Sequence, residues 1–152
     1  GYGFVRELPD GSLEAVEYGV IVTPPDMTMP ERLLELFGQL NEKLLLHHPD
    51  SGAVEKLFFS RNVSTAITVG QARGVILLAL ANSGITIEEY SPLEVKQAVA
   101  GYGGAPKPQV QQMVRTLLAL PEIPRPDDAA DALAVAICHL HSARMRAWMN
   151  NA

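Results

Sequence analysis

Cysteine is almost missing from this chain. The single Cys138 excludes an internal disulfide and a cysteine-based metal centre, and such usage suits a reducing cytoplasm. Its neighbours form an apolar helical stretch, which marks it as a buried structural thiol. No apolar stretch runs without interruption for the length of a membrane span, and no signal peptide is visible. A surplus of positive charge is also lacking: the net charge of −5 argues against a uniformly basic nucleic-acid binder. Gly101, Gly103 and Gly104 are not followed by the Gly-Lys-Ser/Thr of a P-loop, which argues against nucleotide binding there. Internal repeats and low-complexity segments are absent. The four histidines offer little, because His139 and His141, two apart on an expected helix, point in different directions.

What remains is a chain of 152 residues, 47% hydrophobic and 19% charged, the size and make-up of one folded domain spanning 1–152. Its charge is unevenly spread. From Lys56 to Leu120 six Lys/Arg face three acids, while the remainder holds six bases and fourteen acids. A local basic surface of this kind permits phosphate binding despite the overall sign. Residues 1–6 and 13–22 read as an antiparallel pair of strands around a Leu8–Ser12 turn. Pro30 opens an amphipathic helix whose buried side is expected to use Leu33, Leu34, Leu36, Phe37, Leu40, Leu44 and Leu45. A short strand ends near Glu55, and Asn62 or Ser64 caps a long helix to Asn82 that Gly84 terminates. Residues 85–90 form a further strand, and Ser91-Pro92-Leu93-Glu94 is a capping box. A glycine-rich break precedes a helix over 107–120, and a last helix starts at about Asp127. Strands alternating with helices after a hairpin predict an α/β layer fold with a mixed central sheet.

Three carboxylates carry the chemistry. Glu55 interrupts the apolar run Ala53-Val54-Glu55-Lys56-Leu57-Phe58-Phe59 at the end of a strand, where α/β sheets build sites. Asp128 and Asp131 are three apart on a helix and share a face. Acids that must desolvate together repel, so such a cluster needs a counter-charge, and Mg²⁺, which prefers oxygen ligands, is the natural candidate. Two such ions can activate water and stabilise a leaving oxygen, chemistry suited to phosphodiester hydrolysis. By itself, Asp-x-x-Asp more often marks a solvated helix face. Asp127 reads as an ordinary first-turn acid that favours the helix dipole.

In this order, Ala53–Phe59, Val69-Gly70-Gln71-Ala72-Arg73-Gly74, Val95-Lys96-Gln97-Ala98-Val99, Gln109–Arg115 and Asp128-Ala129-Ala130-Asp131-Ala132-Leu133-Ala134 closely resemble the RuvC family. These are bacterial Holliday-junction resolvases of ribonuclease H-like fold, and the resemblance spans essentially the whole chain. It implies a homodimeric, Mg²⁺-dependent, cytoplasmic endonuclease that nicks two opposed strands of a four-way DNA junction, partnered by a branch-migration helicase complex. Glu55, Asp128 and Asp131 match family metal ligands, and some relatives carry His at the position of Asp128. Lys96 and Lys107 match lysines near the scissile phosphate. Phe58 matches an aromatic that stacks on an unpaired base, with Phe59 expected in the core. Arg61 and Asn62 follow, where phosphate or a base edge could be met.

The family's fourth acid lies on a first strand, in a Gly-Ile-Asp-Pro-Gly type motif upstream of the Gly1-Tyr2-Gly3 that begins this chain. The expectation is therefore an N-terminally incomplete domain that lacks one ligand and, in this form, does not cut DNA. Two other readings stay open: a junction-binding protein without catalysis, and another ribonuclease H-like nuclease, such as one acting on RNA.

Overall fold

The computed structural model describes residues 1–57 and 62–152. Its elements follow one another as β1 (Tyr2–Glu7), β2 (Leu13–Gly19), α1 (Met29–His47), β3 (Ser51–Glu55), α2 (Val63–Asn82), β4 (Thr86–Tyr90), α3 (Pro92–Ala100), α4 (Lys107–Leu117) and α5 (Asp127–Asn151). This is the expected alternation of strands and helices. Among the described residues the strands form two two-stranded sheets, β1 with β2 and β3 with β4, where the sequence predicts one mixed sheet. The chain divides into two compact units, one of residues 1–20, 53–55 and 88–152, the other of residues 21–52 and 56–87.

In the first unit, β1 and β2 pair antiparallel, joined by a turn in which Gly11 takes φ +83° and donates its N–H to the Leu8 carbonyl at 2.8 Å. The register slips between Phe4 and Val5, whose partners are Glu17 and Ala15, so Val16 is an extra residue that bends the strand. β2 stops at Gly19, short of the expected Val22, which is 71% exposed. The hairpin lies on α5 so closely that a Cβ on Gly3 would meet Leu133 Cδ2 at 2.8 Å. One on Gly1 would run into the Asp128 carbonyl oxygen, so Gly1 abuts the first turn of α5. Arg144 ties a later turn of the helix to the hairpin, donating to Glu7 and, at 2.9 Å, to the Gly11 carbonyl.

α5 is the central post of this unit, packed by β1, β2, α3 and α4. Leu133, Ile137 and Cys138 are fully buried on it, in one core with Val95 and Val99 of α3 and Val110 and Val114 of α4. The Cys138 thiol is buried as expected, and burial pushes its pKa up. α3 starts at the expected capping box, with Ser91 Oγ accepting from Glu94 N–H at 3.2 Å and Glu94 Oε2 accepting from Ser91 N–H at 2.6 Å. α4 ends three residues earlier than the expected Leu120, because Ala119 turns to φ +49° and Leu120 N–H bonds back to the Arg115 carbonyl.

His139 and His141 do diverge: His139 Nδ1 meets Tyr90 Oη at 3.0 Å, and His141 Nδ1 lies 3.3 Å from the Ala98 carbonyl. Burial, then the Arg146 charge, pushes the His139 pKa below 6.5, with Glu88 opposing. The folded protein therefore favours neutral His139, while the unfolded chain binds the proton more readily. The stability this contributes is complete above pH 6.5 and is lost as the pH falls towards the folded pKa. Urea midpoints should drop as the pH is lowered through this window, and His139→Gln should reduce that drop; an unchanged slope would contradict the linkage.

In the second unit, α1 opens at Thr28 with a capping box to Glu31 and ends at His48 in the left-handed region. Its apolar side is narrower than the sequence suggests. Leu40 and Leu44 are buried, but Leu34 and Leu45 are 72% and 70% exposed. α2 is capped by Asn62, whose Oδ1 accepts from Thr65 N–H at 3.3 Å, and Gly84 follows its end with φ +71°. By length and composition alone α2 is long and apolar enough to cross a membrane. Gln71 and Arg73 break its apolar run without lowering its average enough to fail that test. Only 11% of that span is buried: Ala79 and Leu80 pack inside, and Val63, Ile67 and Leu78 are exposed.

Candidate active site

α5 begins right after a Pro-rich segment, and its first two turns carry Asp127, Asp128 and Asp131, where the helix dipole favours anions. β3 delivers Glu55 as its last residue. α4 starts at Lys107, directly after the glycine-rich break, with no side-chain cap on its N-terminus. All of these belong to the first unit.

The electrostatics define what this corner can do. The Glu55 pKa is raised, first by partial burial of the carboxyl and then by the charge of Asp131. An acid raised by a neighbouring acid marks a site short of positive charge. Lys107 supplies part of it: Nζ lies 3.4 Å from Asp131 Oδ2 and 3.4 Å from Asp127 Oδ2. Asp131 above all, with Asp127, holds the ammonium protonated against desolvation. Desolvation also works against ionised Asp127, but Lys107, Gln111 and Arg125 together bring its pKa below the usual carboxylate value. Arg125 Nη1 is 2.8 Å from Asp127 Oδ1.

Of the expected site residues, Glu55, Asp131 and Lys107 are therefore brought into one electrostatic neighbourhood. Asp128 lies about one turn before Asp131 on the same helix and is exposed. Among the described residues, no three His, Cys, Asp or Glu side chains are gathered closely enough to hold a metal ion. The donor set still suits one in its chemistry: carboxylates whose mutual repulsion is only partly relieved offer hard oxygens to a hard cation. Lys96 is half-buried in the middle of α3. Asn62 serves as the α2 cap. Phe58, Phe59 and Arg61 lie outside the described residues.

Asp127 escapes the reading from sequence, which treats it as a dipole acid. It joins Lys107, Gln111 and Arg125, and only the proximity of α4 reveals it. No spacing in the sequence signals it, because Asp127 and Lys107 lie on different helices.

Comparison with known proteins agrees with the fold. A family model described as "Crossover junction endodeoxyribonuclease RuvC" matches residues 1–139. A curated protein of that description from Roseiflexus sp. (strain RS-1) is 57% identical over 145 residues, covering 95% of this chain and 86% of the relative. Another, from Chloroflexus aurantiacus, is 59% identical over 143 residues, 94% of this chain and 87% of the relative. Among solved structures, T. thermophilus RuvC in complex with Holliday junction substrate superposes with a TM-score of 0.85 at 36% identity, over 94% of this chain and 87% of that one. A second Thermus thermophilus RuvC structure gives 0.84 at 38% identity, over 94% and 86%. The α/β arrangement is thus the ribonuclease H-like one. With a match over residues 1–139 and relatives more than half identical, this chain belongs to the RuvC family of crossover junction endodeoxyribonucleases.

Proposed function

We propose that this protein is a Holliday-junction resolvase, a metal-dependent endonuclease that makes paired nicks in four-way DNA junctions during recombination and repair in the bacterial cytoplasm. The observation that carries the reading is the incompletely neutralised pair Glu55 and Asp131, beside Lys107, in a fold shared with a junction-bound relative. Glu55, Asp128 and Asp131 are the residues that would hold Mg²⁺, for which Mn²⁺ would substitute. Bound there, the ion supplies a more acidic water and charge stabilisation at the reacting phosphate. The protein's own groups do the rest. The carboxylates orient the attacking water, whose proton passes to solvent. Lys107 and Lys96 face the phosphoryl oxygens as charge grows on them, the stage at which fixed cations contribute most. Water attacks phosphorus, the P–O3′ bond breaks, and the products are a 5′-phosphate and a 3′-hydroxyl.

DNA contacts divide by type. Arg61 and Asn62 meet backbone or base edge, which fixes register, and Phe58 stacks on an unpaired base at the crossover. A four-way junction presents two equivalent strands related by symmetry, so two copies of the chain with one site each fit it. α2 is the element on which two copies meet. Val63, Ile67, Gly70, Gly74 and Leu78 fall on one exposed stripe, and a Cβ on either glycine would touch nothing within 4 Å, which leaves room for close approach of another helix. A branch-migration helicase complex is the partner that would bring junctions to the dimer.

The test uses the whole protein with Mg²⁺ and equal concentrations of synthetic four-way junction, linear duplex and RNA–DNA hybrid. The junction alone should be cut. Preferential cleavage of the hybrid would favour the RNA-nuclease reading, and tight junction binding without any cut would favour the non-catalytic one.

A further inference from the structure

Lys107 has two acidic partners, and only one of them belongs to the proposed cation site. Asp131 is a candidate ligand. Asp127 lies about a turn earlier on α5, and its carboxylate is paired with Arg125 as well as Lys107. Arg125 Nη1 lies 2.8 Å away and Lys107 Nζ lies 3.4 Å away, and the side chain of Gln111, a residue only 8% exposed, favours the ionised form. A carboxylate already ordered by other partners loses little further entropy when it holds a lysine. Lys107 itself sits at the first residue of α4, next to the glycine-rich break, with an exposed side chain.

We propose that Asp127 is a positioning residue that keeps Lys107 at the active site when Asp131 turns to the cation. This inference rests on the reading of Glu55, Asp128 and Asp131 as cation ligands. Without a cation, Lys107 is shared between Asp127 and Asp131 and neutralises part of the charge that otherwise repels Glu55. With Asp131 engaged elsewhere, Lys107 retains Asp127 and stays aimed at the phosphate instead of swinging into solvent. Two consequences follow. Lys107 competes with the cation for Asp131, and Asp127 weakens that competition by offering Lys107 another place. An exposed ion pair contributes little to stability, so the effect belongs in cation affinity and turnover.

The experiment titrates the whole protein with Mn²⁺, read by the electron paramagnetic resonance of free Mn²⁺, and measures junction cleavage in parallel. Lys107→Ala should tighten Mn²⁺ binding several-fold. Asp127→Asn should weaken it several-fold and lower kcat about 10-fold, in line with losses for groups that orient metal-site residues, with KM for the junction little changed. Asp127→Glu should restore most of both. In the double variant, Asp127→Asn should have little further effect on Mn²⁺ affinity beyond that of Lys107→Ala. Equal effects of Asp127→Asn with and without Lys107 would mean that Asp127 acts only through its charge, which overturns the proposal. No effect in either background also overturns it. Unchanged Mn²⁺ binding in Glu55→Gln would instead overturn the underlying assignment of the cation site.

Discussion

Glu55→Gln should lower junction cleavage by more than about 100-fold while making the cation-free protein more stable at neutral pH. The first half follows from the proposed role as a ligand: loss of groups that only orient ligands costs about 10–100-fold, so loss of a ligand should exceed that. The second half follows from linkage. The folded-state pKa of Glu55 is raised above 4.5 by burial and by Asp131. The stability contributed by this group is therefore complete below pH 4.5 and is lost as the pH rises through the folded pKa. Glutamine carries no charge to desolvate, so it escapes that loss. Denaturation in EDTA should show the variant gaining on the wild type as the pH rises from 4.5 through the raised folded-state pKa. A variant that cleaves normally would remove Glu55 from the mechanism. One that gains nothing with rising pH would remove the electrostatic account of its position. Opposition between activity and stability is expected of a site assembled against its own repulsion.

Leu133→Ala should be among the most damaging single changes to the fold. Leu133 is 0% exposed and lies on α5, the helix that also carries Asp128 and Asp131. Its Cδ2 fills the space where a Gly3 Cβ would stand. Truncation removes buried methyl groups and leaves a cavity, at a cost of about 3 kcal/mol within a range of about 2–5. For a chain of this size that corresponds to a fall in Tm of roughly 6–12 °C. The same contact predicts coupling. Gly3→Ala should destabilise the wild type and do so less in the Leu133→Ala background, because the atom it meets at 2.8 Å is gone. Thermal melts of the two single variants and the double variant measure both effects. Additive losses would show that the strand and the helix do not share this contact.

Features set by neighbours in the chain were readable from the sequence. The Ser91–Glu94 capping box, the Asn62 cap and the Gly84 stop are local hydrogen-bonding and backbone preferences, and each stands where the sequence puts it. Glu55 closes its strand, and Asp128 and Asp131 ride one helix, for the same reason. Features set by contacts across the chain were not readable. Periodicity marks an apolar side of α1, but only neighbouring elements decide how much of it is covered, so Leu34 and Leu45 are exposed while Leu40 and Leu44 are buried. α2 is apolar nearly throughout, and its sequence carries no sign that Val63, Ile67 and Leu78 would remain outside. Asp127 obeys the first-turn rule and so looks ordinary; its link to Lys107 joins residues on different helices, which no local rule can see. Glu55 and Asp131 likewise influence one another only because the fold brings β3 and α5 to one corner.

Whether this corner cuts crossovers is read most directly by mapping the nicks on a synthetic four-way junction with each of its strands labelled in turn. Two nicks are expected at symmetry-related positions on opposed strands, dependent on a divalent cation, with 5′-phosphate and 3′-hydroxyl ends that ligase can seal. Nicks scattered over all four strands, or ends that ligase cannot join, would contradict it.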